Sequence, residues 1–226
     1  NLRKEITAIL AVAEPVDEVM IRLESPGGEV HGYGLAASQL QRIRNKGIDL
    51  TVAVDKVAAS GGYMMACIGS KIIAAPFALL GSIGVVAQIP NFHKLLQKND
   101  IDVEILTAGE YKRTLTMFGE NTDKVREKFM TELEDAHHLF KDFVAENRPV
   151  VSIEEVATGE AWFGRRALEK QLIDELMTSD EYIVDKCAEC DVFQVKHVVH
   201  KNKFDRVLER VSLMLSPVTN RADLPG

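Results

Sequence analysis

An α/β fold of layered helices and mostly parallel strands is what this 226-residue sequence predicts, with a helical extension towards its end. Two observations carry the prediction. Strand-like and helix-like segments alternate through the first half of the chain. The strand-like segments are also continuous apolar runs, as expected when helices cover both faces of a sheet.

The elements follow in order. "EVMIRLE" (18–24) reads as a buried strand that ends in the turn "SPGG" (25–28). A helix is expected over about 33–46, with Leu35, Leu40 and Ile43 apolar and polar residues between them. "DLTVAVD" (49–55) is the next strand; after it, Tyr63, Met64 and Met65 lead a short helix behind Ser60. "SKIIAAP" (70–76) and "GVVAQ" (84–88) read as strands, "NFHKLLQKN" (91–99) as a helix and "DVEILTA" (102–108) as a strand.

From Thr122 the period changes. Val125, Phe129, Leu133, Ala136, Phe140, Phe143 and Val144 recur at helical spacing until "NRP" stops them. Thr122 suits the N-cap, with Asp123 and Glu127 favourable near the positive helix end. "SIEEVATG" (152–159) and "GRRALEKQLID" (164–174) read as short helices, "DVFQVKHVV" (191–199) as a late strand, and 204–215 as an amphipathic docking helix. With no internal repeat or linker, one domain over 1–180 and a helix–strand–helix extension over 181–226 is the economical division.

Composition narrows the function. At 46% apolar and 27% charged residues the chain is globular, and a net charge of −7 argues against broad nucleic-acid binding. Three cysteines, Cys67, Cys187 and Cys190, make no disulfide framework. Residues 72–92 carry no charge over a length that could cross a bilayer. Pro76, Gly81, Ser82, Gly84, Gln88 and Pro90 interrupt the run, so two short buried strands joined by a Gly-Ser turn fit better.

Chemistry concentrates at strand ends. Ser60, in "VAASGGYMM", follows a strand and opens a helix, where free backbone N–H groups stabilise negative charge. That suits a nucleophile, as at a nucleophile elbow, although G-x-S-x-G is absent. A plain N-cap is the commonest role of such a serine, and the local pattern leaves both readings open. "SPGG" offers uncovered N–H groups of the kind an oxyanion hole uses, or simply a strand-to-helix turn. Both Gly-rich strand ends would open at the carboxyl edge of one sheet, where open α/β folds place their sites.

A serine nucleophile needs a base. His137 and His138 lie on the long helix, on a partly exposed face, while His31 and His93 sit in no telling context. "TAGEYKRTLT" (107–116) supplies Lys112. A lysine with an ordinary pKa of ~10.4 is neutral in only about one molecule in a thousand near pH 7.4, so a catalytic one must be desolvated or set beside a cation. Taken alone, Lys112 reads as a solvated lysine beside Arg113. The rival motif "CAECDVFQVKHVVH" holds Cys187, Cys190, His197 and His200, but at a spacing too short for a zinc finger. On a strand, His197 and His200 would point to opposite faces, so no metal site is expected.

In order and spacing, "SPGG", "VDKVAASGGYMMA", "GSIGV" and "TAGEYKRTLT" resemble the signal peptide peptidase A family, in its SohB branch of bacterial inner-membrane peptidases. The resemblance runs to about residue 180. It implies a fold similar to Clp protease and the crotonases and a Ser–Lys dyad, with no cofactor. It puts the nucleophile on Ser60 and the general base on Lys112, with Ser82 orienting the lysine. The oxyanion hole would use the N–H of Gly61 and that of Gly27 or Gly28. It also implies peptide substrates, a homo-oligomeric ring or dome with sites shared between subunits, and an upstream membrane anchor and first strand. The location implied is the bacterial inner membrane, with the catalytic domain on the periplasmic side. A crotonase-like acyl-thioester enzyme, which would not need Ser60 as nucleophile, and an inactive oligomeric scaffold are the alternatives.

Overall fold

A computed structural model describes residues 2–109 and 111–198 of the chain. Helix α1 (Leu2–Val12) leads into β1 (Glu18–Arg22), α2 (Val30–Asn45), β2 (Asp49–Val54) and β3 (Val57–Ala59). Then come α3 (Gly61–Ala66), β4 (Lys71–Ala74), β5 (Leu79–Gly81), α4 (His93–Lys98) and α5 (Asp123–Asn147). Helix α6 (Ile153–Val156), β6 (Ala161–Phe163), α7 (Gly164–Glu169), β7 (Glu175–Leu176) and α8 (Ser179–Glu189) complete the order.

Two sheets organise these elements. The larger runs β1–β2–β4–β7 with every pair parallel; the smaller runs β3–β5–β6, parallel then antiparallel. The chain passes from one sheet to the other without leaving its neighbours. Leu23 N–H donates to Ala53 O in line with the first sheet, and Ser25 N–H donates to Val57 O in line with the second. Ser25 pairs with Ala58 in a parallel bridge.

Side-chain alternation explains why β2 and β4 read as unbroken apolar runs. Val52, Val54, Ile72 and Ala74 face the main core, while Ala53 and Ile73 face the opposite side beneath Tyr182 of α8. Helices therefore cover both faces. Leu40 and Ile43 of α2 are fully buried in the main core with Tyr63, Ile68 and Leu80, each aliphatic side chain contributing about 2 kcal/mol of burial. Helix α8 is held to the sheet by Glu18, which accepts hydrogen bonds from the Thr51 and Tyr182 hydroxyls and pairs with Lys186 at 3.1 Å.

Several expectations need correction. Leu35 is 52% exposed, and α2 begins at Val30 rather than near residue 33. The strand expected at 84–88 lies instead at Leu79–Gly81, so Gly81–Ser82 ends a strand rather than joining two. Segments 102–108 and 191–198 form no strand; Leu106 is 90% and Phe193 82% exposed, and β-branched composition alone makes no ladder without a partner. The opposite-face argument for His197 and His200 therefore falls, since 191–198 is irregular and His200 lies outside the described residues. So do residues 204–215, where the docking helix was expected.

Helix α5 starts at the expected place, but Thr122 makes no side-chain cap bond, and only Phe140 and Val144 of the apolar stripe are fully buried. Helix α7 ends at Glu169, short of the 164–174 expected, with Gln171 at positive φ beyond it. Among the described residues no helix is long and apolar enough to cross a membrane.

Candidate active site

Three chain segments leave the carboxyl ends of neighbouring parallel strands at one edge of the smaller sheet. Ser25 bridges to Ala58, and Ala59 pairs with Gly81. The segments Pro26–Gly28, Ser60–Gly61 and Ser82 therefore emerge side by side. They line one cleft of about 710 Å³, whose apolar wall includes Val30, Met64, Val85, Val86, Ala136 and Phe140.

Ser60 occupies a strained backbone at φ 53°, ψ −121°, a conformation that costs a non-glycine residue on the order of 1–3 kcal/mol. Its N–H donates to Gly81 O at 2.8 Å, and its carbonyl accepts from the N–H groups of Tyr63 and Met64. The hydroxyl makes no capping bond to α3. The plain N-cap reading is thus not met: the strain is held from strand and helix together while the hydroxyl is left to the cleft. Ser82, on the adjacent strand end, also has positive φ (50°), and its N–H donates to Glu160 O at 2.6 Å.

Glycine is required where these segments touch. A Cβ on Gly27, whose φ is +96°, would lie 2.7 Å from Ser60 Cβ and 2.8 Å from Ala59 O. One on Gly61 would overlap the Tyr33 ring, and one on Gly62 would overlap the Ser25 carbonyl oxygen. Among the described residues the N–H groups of Gly28 and Gly61 have no hydrogen-bond partner, whereas Gly27 N–H donates to Ser25 Oγ at 3.3 Å.

Helix α3 is anchored from behind. Tyr63 is fully buried, and its hydroxyl donates to Leu172 O at 2.8 Å; burial pushes its pKa well up. Burial likewise pushes the Cys67 thiol up to about 12. Arg148, 5% exposed, donates to Gln171 O and to both carboxylate oxygens of Asp174, closing the core behind the helix.

The structure thus brings Ser60, Ser82, Gly27, Gly28 and Gly61 around one cleft. It does not bring Lys112 there. Lys112 is exposed, in a turn where its N–H donates to Gly109 O at 3.2 Å, on an irregular arm that spans 85–118 around the short α4. The arm folds on itself through the Phe92–Phe118 stack and leaves Val86, Leu95 and Leu106 exposed. Among the described residues no histidine lines the cleft. Met64 lines it, while Leu80 and Ile83 are fully buried in the core and Leu79 is half-buried in β5.

Sequence reasoning missed Ser25 and Tyr33, whose hydroxyls meet at 2.6 Å beneath the "SPGG" turn. No local pattern marks them, because the contact depends on α2 folding back over the turn. It also missed Gly159, which lines the cleft beside Ser82.

Comparison with known proteins gives the family. Residues 42–192 match peptidase family S49, and residues 1–40 match the N-terminal region of that family. The chain is 60% identical over 215 residues to "Probable protease SohB" of Haemophilus influenzae, covering 94% of this chain and 61% of that protein. It is 57% identical over 216 residues to the protein of the same name in Buchnera aphidicola subsp. Acyrthosiphon pisum, covering 96% and 64% respectively. Identity to "Serine protease SPPA, chloroplastic" of Arabidopsis thaliana is 34% over 161 residues, 69% of this chain and 23% of that protein. The chain spans less than two thirds of the length of either SohB relative. With both S49 regions matched in order, this chain belongs to peptidase family S49, in its SohB branch.

Proposed function

We propose that the chain is the catalytic region of a serine endopeptidase that uses a Ser60–Lys112 dyad and an acyl-enzyme. The observation that carries the reading is the strained Ser60, uncapped and lining the same cleft as Gly28 and Gly61, whose backbone N–H groups are unpaired among the described residues. Lys112, as a neutral amine, removes the Ser60 proton while Oγ attacks the scissile carbonyl carbon. The N–H groups of Gly61 and Gly28 hold the resulting oxyanion. Gly28 is preferred to Gly27 because the Gly27 N–H is already turned to Ser25 Oγ. Lys112 then passes its proton to the leaving amine as the C–N bond breaks. Water, deprotonated by Lys112, hydrolyses the ester and returns Ser60. Ser82, beside Ser60, orients the lysine amine.

Within one chain Lys112 lies outside the cleft, so the reading places it in the cleft of a neighbouring subunit of a homo-oligomeric ring or dome. The apolar residues exposed along the arm support such a contact. The wider fold is read as Clp protease/crotonase-like, because successive strand pairs feed two sheets in the same order. The substrates are peptides left in or near the bacterial inner membrane, met on its periplasmic side, and the apolar cleft wall suits them.

The test is labelling by a serine-directed phosphonate together with hydrolysis of a fluorogenic peptide. Ser60→Ala is expected to abolish both, and Lys112→Ala to lower turnover by about a thousandfold or more. Mixing the two inactive variants is expected to restore part of the activity. Unchanged labelling in both variants would sink the dyad, and coenzyme A thioester turnover that survives Ser60→Ala would favour an acyl-thioester enzyme. Failure of the mixture would place both groups in one chain.

A further inference from the structure

We propose that Tyr33, acting with Ser25, is the positioning residue of the oxyanion hole; the inference rests on the peptidase reading of Ser60. Three hydrogen bonds join these residues to the "SPGG" turn. Gly27 N–H donates to Ser25 Oγ at 3.3 Å, and the Tyr33 hydroxyl donates to Gly27 O at 3.1 Å. The Tyr33 proton being committed to Gly27 O, the 2.6 Å contact between the two hydroxyls is a bond from Ser25 Oγ–H to Tyr33 Oη. The three bonds close a ring in which each hydroxyl donates once and accepts once, so that each bond polarises the next.

The ring matters because of what Gly27 O shares. Gly27 C=O and Gly28 N–H belong to one planar peptide and point in opposite directions across it. Holding Gly27 O on the Tyr33 side therefore aims Gly28 N–H the other way. A peptide between two glycines turns over easily. Were it to flip, a carbonyl oxygen would face the developing negative charge in place of a donor. Tyr33 and Ser25 hold it in the one orientation that makes the site work.

The Tyr33 ring does a second job with the same atoms. A Cβ on Gly61 would overlap Tyr33 Cγ, and one on Gly28 would lie 3.0 Å from Tyr33 Cε2. The ring is thus in contact with both glycines whose N–H groups are the proposed donors, and it sets the spacing between them. Tyr33 itself is fixed by the first turn of α2, where its N–H donates to Glu29 O at 3.2 Å. Ser25 is 8% exposed and held by the bridge to Ala58.

Tyr33→Phe keeps the ring and removes the hydroxyl, so it separates aim from packing. In the purified protein it is expected to lower kcat for a fluorogenic peptide by roughly ten- to a hundredfold with KM within about twofold, short of the loss of a donor outright. Affinity for a peptide aldehyde, which forms a tetrahedral adduct on Ser60, should fall by a similar factor while the thermal midpoint holds. Ser25→Ala should behave alike. The double variant should lose little more than the worse single one, because both break the same ring. A Tyr33→Phe kcat within about twofold of the parent, a loss confined to KM, or a loss that tracks a falling thermal midpoint would each overturn the proposal. An inactive Ser60→Ala beside a fully active Tyr33→Phe removes only this inference. An active Ser60→Ala removes the peptidase reading and this inference with it.

Discussion

The cradle around Ser60 and the arm that carries Lys112 are built on opposite principles. In the cradle, Gly27 and Gly62 press on backbone and Gly61 on the Tyr33 ring so closely that none admits a side chain, and the turns are tied to strand ends. The arm is rich in apolar residues yet leaves Val86 and Leu106 each 90% exposed and, among its described residues, forms no strand. One half of the proposed site is complete within a single chain. The other half carries surface that a solitary protomer leaves wet, as an interface does before it is covered.

The largest effect expected from breaking this contrast lies in the cradle. Gly62→Ala drives a methyl into the Ser25 carbonyl oxygen, a backbone atom that cannot step aside. A loss of about 3 kcal/mol in denaturant unfolding, with Ser60 labelling abolished, is expected. An active and stable Gly62→Ala would show that the cradle is looser than its packing indicates. On the arm, Leu106→Glu should change the folding stability of the chain by less than about 0.5 kcal/mol. It should still split the proposed oligomer in sedimentation and lower Lys112-dependent turnover at least tenfold. A variant that stays assembled and active would mean that the arm serves no interface.

The smallest effect sharpens the contrast from outside both regions, where α8 meets the sheet. Ser179 N–H and Oγ donate to Asp55 at 2.8 and 2.6 Å, tying α8 to the turn between β2 and β3. Burial pushes the Asp55 pKa up, but the Ser179 hydrogen bonds and the Arg22 charge outweigh it, and the group ends below its ordinary value. A carboxylate held lower in the folded state stabilises fully above its unfolded pKa, and the gain is lost as pH falls through the folded one. Asp55→Asn should therefore cost on the order of 1 kcal/mol at pH 7 and nearly nothing at about pH 2, with a flatter acid limb in thermal melts. An unchanged acid limb would remove Asp55 from the account.

Much of this was legible beforehand. β1, β2, β4 and α2 declare themselves by runs and period, and the three cradle segments by their glycines. Strands of two or three residues, β3, β5, β6 and β7, are too short to carry a period. Helix α1, by contrast, had a readable stripe in Ile6, Ile9 and Leu10. The strands expected at 84–88, 102–108 and 191–199 were inferred from β-branched residues, whose preference is satisfied only where another strand lies alongside. Tyr33 and Ser25 escaped notice because hydroxyl partners eight residues apart become neighbours only after the turn between them closes.

Cys67 closes the helix that Ser60 opens, and its thiol is buried and protonated at any physiological pH. Oxidants and alkylating reagents therefore find no thiolate behind Ser60, while Cys187 and Cys190 lie open at the far end of α8. The edge that holds Ser60 is chemically blind to the redox state of its surroundings, and whatever a thiol reagent does to this protein it does from a distance.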